Sequence, residues 1–342
     1  MTDKVRVEEI KLRVVTPLFM GGASTKIAEF RPPSLKGVLR FWFRAKNPDR
    51  LQEEAHIFGS TEAGQASFLI QILESPVASE EPINWGKGLA YLGYGLVRRG
   101  KAERPYIKPG EEIVLRFVFR PNVKLEVQKD VMESMRCLCL LGGLGSRSRR
   151  GFGSVVLSSE LPSNSEELCN QITAVCQQNN LPEKVAHTAL SRQIRMVIPF
   201  EESSWQGALE RIGWELQTFR SFQTPSPQGP RFKGDHDLIY GAIKGNRPAT
   251  APERVTFGLP QNHYFSSLKG ARAGVTGIDS KRRASPLFIH THLLANGQHA
   301  VVVSFLPAPM LPSGDELAIS TGGRGHESNK FTVPVPEGWT AV

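Results

Sequence analysis

The first half of the chain alternates strand-like and helix-like segments in an order that few folds accommodate. Four segments have the alternating or apolar pattern of strands, and two have apolar residues at helical spacing. The strand segments are residues 5–15, 66–73, 112–120 and 152–157, with a less regular one at 89–97 inside an insertion at 76–108. The helices are predicted from Ser34 onward and over residues 127–141. The resulting order, β-α-β-β-α-β, is that of the split βαβ, or ferredoxin-like, arrangement.

The run Pro32-Pro33-Ser34 predicts the start of the first helix. The prolines exclude helix before Ser34, and serine is a good N-cap residue. Apolar residues from Leu35 to Trp42 recur on one face of this helix. A separate basic stripe recurs every four residues and consists of Lys36, Arg40 and Arg44. Together with the free N–H groups of the helix start, this stripe favours an anion, although an ordinary solvated helix face has the same pattern.

The second half of the chain is predicted to form another α+β domain. Residues 158–166 are polar and rich in serine, which is typical of a linker. The predicted helices are residues 167–178 and 204–222, and the predicted strands are residues 254–257, 286–294 and 300–306. The fold class is therefore predicted as α+β, with two ferredoxin-like (RRM-like) domains in tandem at residues 1–158 and 159–342, the first with an insertion.

A glycine-rich loop, Gly142–Gly153, follows the second predicted helix and contains five glycines and three arginines. Glycine allows tight turns and close backbone approach. Successive N–H groups in such a loop form a concavity that suits phosphate oxygens, and guanidinium groups bind phosphate bidentately. The predicted phosphate-binding residues of this loop are Gly143, Gly145, Ser146, Arg147, Arg149 and Arg150. The alternative is a helix C-cap followed by a flexible turn with solvated arginines.

The overall charge and a further basic run point to an acidic partner. The 342 residues carry a formal net charge of +9, which favours nucleic acid, although a basic soluble enzyme has a similar surplus. Lys281, Arg282 and Arg283 stand just before the strand predicted at 286–294. They are candidates for phosphate contacts, and the alternative is a charge run that protects a sheet edge.

The sequence contains no convincing active site. His290 and His292 lie two apart on a predicted strand, but no third metal ligand follows at a familiar spacing, so a structural or surface role is favoured. Asp235-His236-Asp237, in a Pro/Gly-rich loop, resembles an acid–base cluster only superficially, and His56 has no evident partner. We therefore expect no catalytic residues, no metal, no cofactor and no small-molecule substrate.

The remaining features indicate a cytoplasmic protein. No run of 18 apolar residues is present, so no membrane span is expected. The N-terminus lacks the apolar stretch of a signal peptide. The cysteines form no CxxC pair and are predicted to be reduced core residues. They are Cys137, Cys139, Cys169 and Cys176.

Several of these segments together resemble the RAMP superfamily of CRISPR proteins. The resemblance is carried by the run Pro32–Trp42 and by the Gly142–Gly153 loop after the last helix of the domain. Thr16–Gly22 and Arg282–Leu287 fit one subgroup, the first-numbered subunit of the Cmr module in the type III-B effector complex. The resemblance covers residues 5–157 with separate motifs in the right order, and it is thinner in the second half.

The resemblance implies membership of a crRNA-guided, RNA-targeting ribonucleoprotein of antiviral defence. Its partners would be crRNA, target RNA and neighbouring RAMP subunits, near the head of the assembly. In the family, another subunit cleaves target RNA through an aspartate in a loop of its first domain, whereas residues 21–31 here contain Glu29 and no aspartate.

Guide-processing members often use an early histidine, and the first histidine here is His56. We therefore predict a non-catalytic RNA-binding subunit. One alternative is a metal-independent RNA endonuclease with a histidine as general base. Another is an assembly protein that binds partners and touches RNA little.

Overall fold

The structure is a computed structural model that describes residues 4–22, 24, 26–98, 101–102, 104–176, 181–223, 230–323, 325 and 328–336. It divides into two compact units. The first comprises Met1–Glu183, Ala189–Trp214 and Phe288–Phe305, and the second comprises Lys184–Thr188, Glu215–Leu287 and Leu306–Val342. The units are thus interleaved in sequence, whereas the prediction placed one boundary at residue 158. That residues 1–158 and 159–342 are separate domains stays a prediction.

The secondary structure of the described residues consists mainly of α-helices and antiparallel strands. The helices are α1 (Pro32–Lys46), α2 (Leu51–Phe58), α3 (Lys87–Leu92), α4 (Leu125–Leu141), α5 (Ser165–Cys176), α6 (Trp205–Phe219) and α7 (Lys233–Ile243). The strands are β1 (Arg6–Val14), β2 (Phe68–Glu74), β3 (Val97–Arg98), β4 (Lys101–Ala102), β5 (Glu112–Phe119), β6 (Val155–Leu157), β7 (Arg195–Val197), β8 (Glu201–Glu202), β9 (Gln261–Phe265), β10 (Ala271–Gly277), β11 (Leu287–Leu293), β12 (His299–Phe305), β13 (Leu317–Gly322) and β14 (Lys330–Val333). Within the described ranges, none of the helices is both long and apolar enough to cross a membrane.

The main sheet of the first unit has the strand order β2-β5-β1-β6 and is antiparallel. Strands β1 and β5 pair along nearly their whole length, from Arg6 opposite Phe119 to Arg13 opposite Glu112. Alternate residues of β5, among them Leu115 and Phe117, are fully buried. Helices α1 and α4 pack against each other. The order β1-α1-β2-β5-α4-β6, interrupted by the short α2 and the insertion, confirms the predicted order of elements.

Helix α1 begins at Pro32 rather than after Ser34. Arg31 is the N-cap residue, with extended backbone, and Pro32 and Pro33 occupy the first two helical positions. Proline is tolerated there because the N–H groups of the first turn have no partner within the helix. The prediction that Ser34 caps this helix is therefore wrong.

The insertion between β2 and β5 contains α3 and the antiparallel pair of β3 and β4, so the strand predicted at residues 89–97 is wrong over most of its length. The carboxylate of Glu210, on α6, accepts hydrogen bonds from the N–H groups of Gly88 at 3.0 Å and Leu89 at 2.8 Å. Helices α3 and α6 meet so closely that a Cβ on Gly213 would lie 2.2 Å from the Gly88 oxygen. A carboxylate from a distant segment thus accepts hydrogen bonds from N–H groups in the first turn of α3. The short apolar run in the sequence did not reveal this helix.

A second sheet of the first unit consists of β11, β12 and β7, and β8 also pairs with β12. Strands β11 and β12 are joined by a turn in which Gly297 has a φ of +83°. These strands confirm the predictions at residues 286–294 and 300–306. The strand predicted at residues 254–257 is wrong, because Glu253–Phe257 forms a 3₁₀ helix.

The second unit has its own antiparallel sheet, in the order β14-β13-β10-β9. Ile239 and Ala242 of α7 belong to the same core as Val275 of β10 and Ile319 of β13. The strands of the second half of the chain are therefore divided between two sheets. The predicted tandem of two ferredoxin-like domains stays a prediction, and the fold shown is a mixed one of helices and antiparallel sheets.

Candidate nucleic-acid interface

The glycine-rich loop begins where α4 ends. Gly142 is the C-cap residue, and its φ of −108° and ψ of −162° are extended rather than left-handed. Its lack of a side chain has a packing reason, because a Cβ would lie 2.6 Å from Nε1 of the buried Trp42. The loop therefore does not start with the left-handed glycine that commonly ends helices.

Hydrogen bonds hold the loop against the residues that follow β1. The Gly153 N–H donates to the Pro17 oxygen at 3.0 Å, and the Leu144 N–H donates to the Gly153 oxygen at 2.9 Å. The Ser146 N–H donates to the Phe19 oxygen at 2.8 Å. This bonding is not that of a flexible turn. The Ser146 N–H is thus engaged within the chain, and an RNA contact by Ser146 stays a prediction.

Gly143 and Gly145 allow the chain to approach itself. A Cβ on the buried Gly143 would lie 2.9 Å from the carbonyl oxygens of Phe152 and Ser148. Gly145 has a φ of +73°, and a Cβ there would lie 2.5 Å from the Phe19 oxygen. Close backbone approach was predicted for these glycines, but the partner is the protein's own main chain. The two glycines set the shape of the loop that carries the arginines, and an RNA contact by either glycine stays a prediction.

Arg147 stands at the surface of this loop, with a left-handed φ of +60°. Its guanidinium carbon lies 5.9 Å from the centroid of the Tyr94 ring. Partial burial lowers the pKa of Arg147, although an arginine stays charged at neutral pH. Within the part of the chain that the structure describes, Arg147 forms no ion pair with a carboxylate.

Arg149 and Arg150 are held more firmly by the neighbouring strand β11. The Arg149 guanidinium lies over the Phe288 ring at 4.4 Å and near the Phe41 ring at 5.1 Å. The Arg149 oxygen accepts a hydrogen bond from the Ile289 N–H at 3.2 Å, and the Arg150 N–H closes a turn onto the Arg147 oxygen at 2.7 Å. The two side chains are half-buried. The three arginines are therefore not equivalent, since Arg149 also packs on aromatic rings.

The basic stripe of α1 is partly neutralised by one carboxylate. Glu54 of α2, whose side chain is 14% exposed, pairs with Arg40 Nε at 3.0 Å and with Arg44 Nε at 2.6 Å. Lys36 lies beside other cations instead. Burial and the charges of Arg40 and Arg120 lower the pKa of Lys36. Glu54 thus faces the three cations of the stripe and the nearby Arg120, which leaves a positive surface here.

The run Lys281–Arg283 belongs to the second unit, and its three members differ in environment. Lys281 and Arg282 are exposed, as a phosphate contact requires. The Arg283 guanidinium instead donates to the carbonyl oxygens of Ala308 at 3.2 Å and Pro309 at 3.2 Å. Burial lowers the pKa of Arg283. Arg283 therefore has a structural role in addition to the one predicted for it.

The two histidines of β11 are completely enclosed. His290 Nδ1 donates to the Gly142 oxygen at 2.7 Å, and His290 Nε2 lies 3.2 Å from His292 Nδ1. Burial lowers the pKa of His290 to about 4 and that of His292 well below its usual range. Of the two predicted alternatives, the structural role fits both residues. In the sequence, the alternating pattern of a strand placed both histidines on one face. That pattern cannot distinguish a face in solvent from a face that packs against a second buried layer.

The structure also shows where the other candidate catalytic residues lie. Asp235-His236-Asp237 lies in helix α7 and not in a loop. Asp235 is buried and accepts hydrogen bonds from the N–H groups of Glu253 at 2.8 Å and Arg254 at 2.7 Å. His56 is exposed at the end of α2. Among the described residues, no three His, Cys, Asp or Glu side chains are arranged to hold a metal ion.

The cysteines are all free, and three of the four belong to the core. Cys137, Cys139 and Cys176 are buried, and burial raises the pKa of the Cys176 thiol to about 12. Cys169 is exposed on α5, so its prediction as a core residue is wrong. It lies outside the buried face of this amphipathic helix, to which Leu168 and Ile172 belong.

Comparison with known proteins identifies the family. Residues 11–156 match the RAMP superfamily. The subunit Cmr1-2 of the Cmr CRISPR system from Pyrococcus furiosus is 31% identical over 170 residues, which cover 42% of this chain and 91% of the relative. The chain belongs to the Cmr1 family of RAMP proteins. The resemblance recognised in the sequence is thereby confirmed.

Another curated relative and a solved structure are also similar to this chain. Cmr1-1 from Pyrococcus furiosus is 30% identical over 166 residues, and the alignment covers 44% of this chain but only 47% of that relative. The crystal structure of Cmr1 from Pyrococcus furiosus in its apo form matches with a TM-score of 0.51 and 18% identity, over 88% of this chain and 87% of the other. At that identity the structural likeness concerns the fold alone.

Sequence reasoning missed two residues of the surface that this Cmr1-family chain presents. Arg120, directly after β5, lies close enough to Lys36 of α1 to lower the pKa of that lysine, and no sequence spacing reveals this proximity. Tyr94 lies within the insertion and close to Arg147, 53 residues further along the chain. The only local signal was an aromatic residue between two glycines, Gly93-Tyr94-Gly95, in a segment predicted as strand.

Proposed function

We propose that this chain is a non-catalytic RNA-binding subunit of a type III-B CRISPR interference complex. It contacts crRNA, target RNA or both through backbone phosphates, near the head of the assembly, and it adjoins other RAMP subunits. The family supports this proposal, since both Pyrococcus furiosus relatives are named as subunits of the CRISPR system Cmr. Two ferredoxin-like domains and a cytoplasmic location are part of the same proposal.

The observation that carries the proposal is the exposed Arg147 on a hydrogen-bonded loop, without a carboxylate partner among the residues that the structure describes. A guanidinium group on a backbone that is already ordered loses less conformational entropy when it binds phosphate. Arg149 and Arg150 follow within the same turn. Lys36, Arg40 and Arg44 extend the surface on α1, and Lys281 and Arg282 offer a further patch in the second unit.

Such a surface suits a subunit that must accept any guide. Phosphate contacts position a strand without reading its bases. In RNA-guided systems, sequence is read by base pairing between guide and target, and the protein binds the backbone. A loop whose side chains are guanidinium groups therefore matches this division of labour.

The test is the simultaneous replacement of the three loop arginines by alanine, R147A/R149A/R150A. We expect broadly weaker binding of single-stranded RNA of different sequences, because fewer counterions leave the RNA when fewer of its phosphates are neutralised. The slope of log K against log salt should become shallower by about 0.7 for each phosphate that is no longer neutralised. Fluorescence anisotropy titrations at several salt concentrations measure both quantities.

A charge-matched control separates this local effect from the reduction of net charge. Arg116, Arg136 and Arg211 each pair with a glutamate, at 2.7 Å, 3.2 Å and 2.9 Å respectively. Their triple alanine variant removes the same three charges and should bind RNA nearly as the parent does. Equal affinities for the loop variant and the parent would contradict the proposal. Weak, salt-independent binding by the parent would favour an assembly protein that touches RNA little.

The non-catalytic part of the proposal has its own test. The pure protein is incubated with a repeat-containing RNA, with and without EDTA, and the products are resolved on a denaturing gel. We expect intact RNA in both samples. Defined products that persist in EDTA and disappear in the H56A variant would instead establish a metal-independent endonuclease with a histidine base.

A further inference from the structure

Tyr94 is a large aromatic residue that the protein leaves in water. It is 75% exposed, although its neighbours Leu92 and Leu96 are buried. Burial of aromatic surface is a major source of stability, so an isolated exposed ring contributes little to the fold. Tyr94 lies in the first unit, as do α1 and the glycine-rich loop.

The backbone fixes where this ring stands. The Leu96 N–H donates to the Gly93 oxygen at 2.7 Å, which closes a β-turn with Tyr94 and Gly95 at its two central positions. Gly95 has a φ of +86°, the value that the third residue of a type II turn requires. Gly93 cannot carry a side chain without displacing Trp85, since a Cβ would lie 2.6 Å from its ring. Tyr94 is thus presented at the corner of an anchored turn.

The partner of the ring is a cation of the proposed interface. The Arg147 guanidinium carbon lies 5.9 Å from the ring centroid, and a Cβ on Gly95 would lie 3.4 Å from Arg147 Nη2. Arg147 therefore shares one surface with an exposed aromatic ring. This pair of a stacking surface and a guanidinium group is the combination that single-stranded nucleic acid requires.

The main sheet does not provide such a stacking surface. RRM domains stack bases on aromatic residues of their sheet. Here the outward positions of β1 and β5 include Val7 opposite Val118 and Glu9 opposite Arg116, and the latter two form an ion pair at 2.7 Å. Aliphatic and charge-paired side chains do not replace aromatic rings. The main sheet is therefore not the surface on which this unit could stack bases.

We propose that Tyr94 stacks on a base of the bound RNA while Arg147 binds an adjacent phosphate. This inference rests on the proposed RNA-binding function and names one contact of that site. It concerns an RNA base and not a protein side chain, because the exposed ring stands next to a cation that has no ion pair among the described residues. Stacking tolerates any base, which suits an arbitrary guide sequence.

The experiment measures binding of a fluorescein-labelled single-stranded RNA by the parent chain and by Y94A, Y94F, Y94L and R147A. We expect Y94A and Y94L to bind about tenfold more weakly, because no aromatic ring is left for stacking, and Y94F to bind as the parent does. The slope of log K against log salt should be unchanged in Y94A and shallower by about 0.7 in R147A. Tyr264, on β9, is 65% exposed, so Y264A is a matched control that should bind like the parent.

The outcomes distinguish failure of this inference from failure of the proposed function. A parent chain that binds no RNA overturns the proposed function. A parent that binds RNA, with Y94A of equal affinity, overturns only the stacking interaction. If Y94A then fails to assemble with its partner subunits, the ring is a protein contact and the inference is wrong. Unchanged unfolding midpoints of the variants show that weaker binding is not due to unfolding.

Discussion

His290 Nδ1 lies 2.7 Å from the carbonyl oxygen of Gly142, the residue at which α4 passes into the glycine-rich loop. A carbonyl oxygen only accepts, so the imidazole donates, and the buried ring ties the base of the loop to strand β11. Thr291, the next residue, donates its N–H to Ser154 Oγ at 3.1 Å. The loop is therefore held both by the residues after β1 and by β11, and both attachments lie far from it in sequence.

Acid should destabilise the folded chain through His290, because the buried imidazole resists protonation. Burial lowers the pKa of His290 in the folded chain to about 4, from a usual value of 6.5. Between these values the unfolded chain binds a proton that the folded chain does not, so stability is lost as pH falls from 6.5 towards 4. The expected loss from His290 is about 3 kcal/mol. Urea unfolding of the parent and of H290Q between about pH 4 and 7 measures it, and H290Q should show the smaller slope.

The exposed His56 supplies the control for that series. H56Q is the matched control, because it removes an exposed imidazole in place of a buried one. If H290Q kept the full slope, other groups would account for the acid sensitivity.

Replacing Glu54 by glutamine should strengthen RNA binding. The substitution removes the carboxylate shared by Arg40 and Arg44 and leaves their charges available to phosphate. Affinity should rise by about threefold at low salt, because Arg40 and Arg44 are partly exposed and can then pair with phosphate instead. E9Q is the matched control, since Glu9 pairs with Arg116 alone among the described residues and lies on the main sheet. A rise that is equal in both variants would indicate an effect of net charge only.

Alanine at Gly145 should destabilise the loop by about 2 to 4 kcal/mol. The left-handed backbone is unfavourable for alanine, and the added Cβ would lie 2.5 Å from the Phe19 oxygen. Gly64 has nearly the same backbone, with a φ of +77°, but a Cβ there meets nothing within 4 Å. G64A should therefore cost only about 1 kcal/mol. Chemical denaturation compares the two, and equal losses would show that close approach to Phe19 has no cost of its own.

The three residues of the basic run Lys281–Arg283 should differ in their effects on stability and on RNA binding. R283A removes hydrogen bonds to the Ala308 and Pro309 oxygens and is expected to lower the free energy of unfolding by about 1 to 3 kcal/mol. The K281A/R282A variant should change it by less than about 0.5 kcal/mol, since both residues are exposed. Under the proposed function, this second variant is the one that weakens RNA binding. The reverse assignment would contradict the roles given to these residues.

The sequence by itself determined β1, α1, β2, β5, α4 and β6 of the first half, and the physical reason is local. Apolar residues alternate in β1 and β5 and recur at helical spacing in α1 and α4, so each segment indicated its own secondary structure and its buried face. The same argument predicted the β11–β12 hairpin around Gly297. It also found the Gly142–Gly153 loop, because its composition is unusual wherever the loop lies. The predicted start of α1 lay too late in the chain, because proline suits the first turn of a helix as well as the residues before it.

Only the tertiary structure decided which groups meet. Helix α3, at residues 87–92, is stabilised by Glu210, over a hundred residues away, because its carboxylate accepts hydrogen bonds from N–H groups of the first turn. The Ser146 N–H is unavailable because Phe19 accepts from it, and Arg40 and Arg44 are paired because α2 folds back to place Glu54 beside them. Tyr94 and Arg147 share a surface through a turn in the insertion. Each of these relationships depends on a distance between segments that are remote in sequence, which residue type and spacing do not encode.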